Sequence, residues 1–258
     1  MRPEVPNFRD AGGLTTGHLR PGVVFRSAEL SALTAEGQRA LLDLGVTEVF
    51  DLRTRDEVDH RPDALPPTVT LTLLDVLAAR PHSGAAAVAS IVTDTADRAS
   101  IEDVNDAVGG GRARDLMIET YRHLVSLPSA HAGYRDLLLA LGRGTGAAVI
   151  HCTAGKDRTG WAIALLQRVA GASMDDIVAD YLLSNEQMTL AYGPMLEQFE
   201  AAGGDATALG DMIYVQPAYL DAAITLMHHV YGGLDGYLTT ALDLTADDID
   251  ALRTRILV

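Results

Sequence analysis

Cysteine is almost absent: the chain of 258 residues contains one, Cys152. A single thiol excludes an internal disulfide framework and leaves no CxxC pair for a zinc site or a dithiol redox couple. The eight histidines form no HExxH or comparable ligand spacing, and the adjacent His228 and His229 would point in different directions on a helix. Neither a metal nor a cofactor is therefore expected. No apolar run reaches the roughly 18 residues that span a bilayer, and the opening MRPEVPNFRD lacks the apolar stretch of a secretory signal. These absences favour a cytoplasmic protein, with export lacking a recognisable signal left open. Positive charge is scarce too: 20 Lys and Arg face 35 Asp and Glu, a net charge of −15. Such a surface repels nucleic acid and anionic membranes at long range. An anionic substrate must then be met by a local concentration of positive charge. What is plentiful is apolar material, 48% of residues with a mean hydropathy of +0.11, enough for a sizeable core. Nothing in the sequence specifies an oligomeric state.

The pattern along the chain is that of an α/β protein. Ser31 or Thr34 caps a helix running to about Leu44, with Leu33, Leu41 and Leu42 on its apolar side, and Gly45 stops it. Val46–Asp51 follows as a short buried strand, Val69–Leu74 alternates apolar and Thr residues, and Ala147–His151 is an apolar strand. Strand, helix, glycine, strand is the rhythm of a parallel sheet. The segment from Asp157 to about Val169 is apolar nearly all round, which marks a buried helix. Helical patterning also covers Leu116–Leu127 and, after Pro128, runs on to Leu141. Between the Val69–Leu74 strand and Leu116, about 76–115 shows no strong period and reads as an insert or lid. Beyond Gly171, about 172–258 reads as helical, with breaks near Gly193–Pro194, Gly203–Gly204, Pro217 and Gly232–Gly233. No repeat or interdomain linker appears, so 1–258 is expected to form one domain.

The chemistry concentrates in His151–Cys152–Thr153–Ala154–Gly155–Lys156–Asp157–Arg158–Thr159–Gly160, between an apolar strand and the buried helix. This segment places the thiol at the mouth of a strand–loop–helix turn, where backbone N–H groups, a helix N-terminus and nearby cations favour a thiolate. Gly155 lets the loop curl so that successive N–H groups face inward as an anion nest. Arg158 follows Cys152 by six residues, close enough for its planar fork to return over a bound phosphate, a grip Lys156 as a point charge cannot match. A thiolate aimed at a cradled tetrahedral anion implies attack on phosphorus and a phosphocysteine intermediate, with Thr159 donating a hydrogen bond to the departing sulfur. The nucleotide-binding pattern GxxxxGK[ST] does not fit, since Asp157 follows Lys156.

HCTAGKDRTG resembles the HCxxGKDRTG signature of the atypical bacterial protein-tyrosine phosphatase family, a group with phosphoinositide-active members. Asn7–Asp10 with Gly12–Gly13, Phe25–Leu30, Asp51–Arg53 and Asp180–Asn185 resemble further blocks of that family in the same order. The resemblance implies a protein-tyrosine-phosphatase-like fold, a central mostly parallel sheet flanked by helices with a helical lid. It further implies a phosphate loop built from Thr153, Ala154, Gly155, Lys156, Asp157, Arg158 and Thr159. The implied substrate is phosphotyrosine, with dual-specificity or phosphoinositide activity for which Lys156 would meet a further phosphate.

Expelling an alkoxide or phenolate requires a proton donor. Asp75 is the first candidate, because it ends the Val69–Leu74 strand and so lies at the end of the sheet that carries the cysteine loop. Asp157 is its rival from within the loop, and Asp103, Asp106 and Asp115 stay open. Arg9, Asp10, Ser27, Asp51 and Arg53 read as framework, and His151 as a residue that orients the loop. A phosphatase for a soluble sugar or nucleotide phosphate is the nearest alternative. A sulfurtransferase, which also cradles a single cysteine, and a non-catalytic phosphate-binding module lie further off.

Overall fold

A computed structural model describes residues 3–13, 19–79 and 101–258. Five strands form one sheet in the order β1-β2-β5-β3-β4: β1 Arg9–Asp10, β2 Val24–Ser27, β3 Val46–Asp51, β4 Thr70–Leu73 and β5 Ala147–His151. Only β1 runs antiparallel; the other pairings are parallel, so the C-terminal ends of β2, β3, β4 and β5 open on one edge. Strand β5 sits in the middle and is buried on both faces. Its alternation divides the core: Ala148 and Ile150 enter one cluster, Ala147 and Val149 the opposite one.

Thr34 caps α1 (Ala35–Asp43) by accepting from the Gly37 N–H at 3.1 Å, and Gly45 ends it in the left-handed region with φ +74°. This helix and the segment around Ala64 and Leu65 cover the first face with Leu30, Leu33 and Leu41. The second face carries α4 (Arg112–Ser126), α5 (Pro128–Arg143), α6 (Arg158–Val169), α7 (Met174–Leu182), α10 (Pro217–Tyr231) and α11 (Ala246–Ile256). Helix α6 is buried all round, as its composition predicts, with Trp161, Ile163 and Leu166 fully enclosed. Each such side chain withdrawn from water contributes about 1.5–3 kcal/mol. A third apolar cluster joins α3 (Ile101–Val108), α8 (Ser184–Ala201) and α9 (Ala206–Ile213), and Ala154 of the cysteine loop packs against it.

Two expectations need correction. The segment 76–115 is not irregular throughout: α3 and the start of α4 cover 101–108 and 112–115 with a turn between them, while 80–100 lie outside the described residues. Val104 and Val108, one turn apart, supply a buried stripe narrow enough to be lost among Ala, Asp and Gly. The chain also does not break at Gly193–Pro194, because α8 runs through Pro194. Proline frees the carbonyl of Leu190 from its helical bond, and Leu190 is 75% exposed, so water can take that carbonyl. No helix among the described residues is long and apolar enough to cross a membrane.

Candidate active site

The cysteine loop leaves β5 at His151 and enters α6 at Arg158. Cys152 is 2% exposed at its base. Gly155 adopts φ +66°, and a Cβ there would lie 2.1 Å from the Ser27 carbonyl oxygen, so both its dihedral and its close approach to the end of β2 require glycine.

The loop's carbonyls are tied from behind. The Asn7 amide nitrogen donates to the carbonyls of Ala154 at 3.1 Å and Gly155 at 2.8 Å, and Arg26 Nη2 donates to Gly155 at 2.7 Å. Turning carbonyls outward leaves the amide N–H groups to the concave side, which is the requirement of an anion nest. Arg26 is fully buried and lies 3.4 Å from Asp180, which also takes Arg9 at 3.2 Å. Two guanidinia thus share one carboxylate behind the loop. Burial and then Arg26 push Arg9 down to about 10, against the pull of Asp180. The N-terminal and Asp180–Asn185 blocks therefore meet as the rear brace of the loop.

A second brace holds the strand end. His151 Nε2 lies 3.0 Å from Asp63, and Arg53 bridges Asp51 at 2.8 Å, Asp63 at 3.0 Å and Glu29 at 3.0 Å. Burial disfavours the Asp63 carboxylate, but His151 and Arg53 outweigh it and hold its pKa below the ordinary value. Asp51, Asp63 and His151 are close enough together to hold a metal ion in principle. The Arg53 guanidinium already supplies the positive charge there, so the group reads as a brace.

The front of the loop carries a residue the sequence reading did not single out. Glu57 takes Arg158 Nη1 at 2.6 Å and Nη2 at 2.8 Å, and the Thr153 hydroxyl also donates to it. This bidentate contact uses one end of the guanidinium and leaves the Nε side for an anion. Burial opposes the Glu57 charge, yet Arg158 and the bonds from Thr153 and Thr54 hold its carboxyl well below the usual range. Burial likewise opposes the Arg158 charge, and Glu57 first, then Cys152 and Asp157, outweigh it. Glu57 also closes the capping box with Thr54 at the start of α2 (Arg55–His60). The Thr-x-x-Glu spacing is the one local signal that could have found it.

Asp157 stands at the N-cap of α6, but its side chain caps nothing. It accepts from the Tyr121 hydroxyl at 3.0 Å and pairs with Lys156 at 2.7 Å. Lys156, the only lysine of the chain, is 7% exposed. Asp75 follows β4 on the same edge of the sheet, and its carboxylate accepts from the Arg55 N–H at 3.1 Å and the Leu77 N–H at 3.1 Å, tying the end of β4 to α2. Asp103 and Asp106 are exposed on α3, and Asp115 is exposed in the first turn of α4. Thr159 Oγ1 is buried with no hydrogen-bond partner among the described residues.

A buried thiol under an inward-facing loop, with an arginine fork held ready above it, is the arrangement of a cysteine-based phosphatase. The family described as the tyrosine phosphatase family matches residues 2–258, and the chain belongs to it. It is 35% identical, over 93% of its length and 92% of the relative's, to the triple specificity protein phosphatase PtpB of Mycobacterium tuberculosis. It is also 27% identical, over 90% of its length and 73% of the relative's, to a tyrosine-protein phosphatase of Nostoc commune. The protein is accordingly a hydrolase of phosphate monoesters.

Proposed function

We propose that the protein hydrolyses phosphotyrosine and also accepts phosphoinositides, with Cys152 as nucleophile and Arg158 as the phosphate clamp. The Cys152 thiolate attacks phosphorus, the bond to the leaving oxygen breaks, and that oxygen takes its electron pair together with a proton from Asp157. Water then attacks phosphorus, the sulfur–phosphorus bond breaks, and Asp157 receives the water's proton. Amides of Thr153, Ala154, Gly155, Lys156, Asp157, Arg158 and Thr159 line the cradle, and the unpartnered Thr159 hydroxyl serves the sulfur. Asp157 is preferred to Asp75 as the acid because it belongs to the loop itself, whereas both oxygens of Asp75 serve backbone N–H groups. The observation that carries the reading is the double restraint on the loop: carbonyls held behind by Asn7 and Arg26, guanidinium held in front by Glu57.

Lys156 favours a substrate with a second phosphate. It is buried beside the cradle, and its one carboxylate partner is a side chain that a phosphate can replace. α3, α8 and α9, whose apolar cluster reaches Ala154, act as the lid above it.

The test is turnover, in EDTA, of a phosphotyrosine peptide, phosphoinositides and a panel of sugar and nucleotide phosphates, with Cys152→Ser as control. Wild type is expected to turn over the first two and the variant neither. Preference for a sugar or nucleotide phosphate would transfer the reading to a metabolic phosphatase, and activity surviving in Cys152→Ser would refute the phosphocysteine route.

A further inference from the structure

We infer that Tyr121 and Tyr181 form a buried hydrogen-bonded pair that fixes the Asp157 carboxyl, reserving Oδ2 as the oxygen that carries the proton to the leaving group. The inference rests on the reading of Asp157 as the general acid.

Tyr121 projects from α4 and Tyr181 from α7, 60 residues apart in sequence, and their hydroxyl oxygens lie 2.5 Å apart. Tyr121 donates to Asp157 Oδ1 at 3.0 Å, which uses the one hydrogen a phenol has. The short contact between the phenols must then be donated by Tyr181. The hydrogen bonds run in one direction, from Tyr181 to Tyr121 to Asp157 Oδ1. Oδ1 is thereby committed as an acceptor, and among the described residues Oδ2 meets Lys156, at 2.7 Å, and no backbone or phenol donor. A proton can occupy Oδ2 once Lys156 turns to a phosphate, and the carboxyl does not need to rotate to present it.

Four further observations support a built device. Aspartate at a helix N-cap ordinarily accepts from the first turn's amides, yet the Asp157 side chain makes no such bond. Its diversion leaves the α6 N-terminus to the phosphate. The aromatic rings pack together: Tyr121 stands edge-on to Tyr181 at 80° and packs on Tyr219 at 5.9 Å. Gly160 makes room for the pair, since a Cβ there would lie 3.2 Å from the Tyr181 ring. Burial foremost, with Asp157 adding to it, holds both phenols well above their ordinary pKa, so they remain protonated donors at working pH.

These are positioning residues, and the readout that separates positioning from general support is the leaving-group dependence. kcat/KM is measured for aryl phosphates from 2,4-dinitrophenyl phosphate, whose leaving group needs no proton, to phenyl phosphate, whose leaving group does. The full chain is compared with Asp157→Asn, Tyr121→Phe and Tyr181→Phe. Tyr121→Phe is expected to lower kcat/KM for phenyl phosphate by about 10- to 100-fold while changing the dinitrophenyl ester less than about 3-fold; Asp157→Asn should show the same pattern more steeply. Tyr181→Phe, which keeps the direct bond to Asp157, should show a weaker form and serves if Tyr121→Phe does not fold. A steep Asp157→Asn series with flat or uniformly depressed tyrosine variants would overturn the role of the pair alone. A flat Asp157→Asn series would overturn the acid assignment and the pair with it.

Discussion

The two sides of the cysteine loop are held by different physics. Behind it, Asn7, Arg26, Asp180 and Gln167 are buried, and with the half-buried Arg9 they are tied into backbone carbonyls and one another. In front, Lys156 and Asp157 hold each other through side chains that an incoming phosphate can separate, while Glu57, whose side chain is 32% exposed, keeps its hold on Arg158. Buried contacts of the first kind fix a shape, because breaking one leaves an unsatisfied polar group or charge in low dielectric. Contacts of the second kind store groups in position at little cost and release them on binding. A catalyst needs both, the cradle rigid before substrate arrives and its charged rim exchangeable.

The comparison breaks most visibly at Asp180. Asp180→Ala strands two buried guanidinia and should cost about 3–5 kcal/mol of stability, read as a lowered Tm and denaturation midpoint. A loss below about 1 kcal/mol would mean that the rear is not a fixed brace. Glu57→Gln keeps the shape but surrenders the bidentate hold on Arg158. A drop in kcat of about 10²-fold is expected, since misplacing a clamp by about 1 Å carries that cost, together with a Tm loss smaller than that of Asp180→Ala. A Tm loss equal to that of Asp180→Ala would place Glu57 with the rear instead.

Acidification sharpens the same division. The Asp63 pKa lies below its unfolded value, so its contribution is present above the ordinary aspartate value of about 3.9 and is lost as the pH falls through the folded value. Asp63→Asn should therefore flatten the acid limb of the stability–pH curve, measured by denaturant titration between pH 5 and 2. An unchanged limb would show that the strand-end brace contributes nothing there. The smallest effect belongs to Lys156→Ala: a KM for a bisphosphorylated substrate raised about 10-fold relative to a monophosphate. Equal KM changes for the two substrates would remove Lys156 from second-phosphate recognition.

Local signals carried much of this architecture. Thr34, Gly45 and the apolar run Val46–Asp51 announce a capped helix, a stop and a buried strand from neighbours a few residues apart, and the structure places them there. The His151–Gly160 segment likewise states its chemistry in consecutive residues. Pro194 was misleading because a helix break depends on whether solvent can serve the freed carbonyl, which the sequence does not show. Glu57 could be read only as half of a capping box, because its second partner, Arg158, lies 101 residues away.

By itself, then, the sequence determined β3, β4 and β5, much of the helical pattern, the cysteine loop and the class of reaction, since these follow from periodicity and from spacing within one segment. Only the tertiary structure decided which carboxylate grips Arg158, which donors face the Asp157 oxygens, and that Asp75 ties the end of β4 to α2 through the Arg55 N–H. The reason is physical: hydrogen bonds and ion pairs act over about 3 Å of space, and folding sets those distances between residues that sequence keeps far apart.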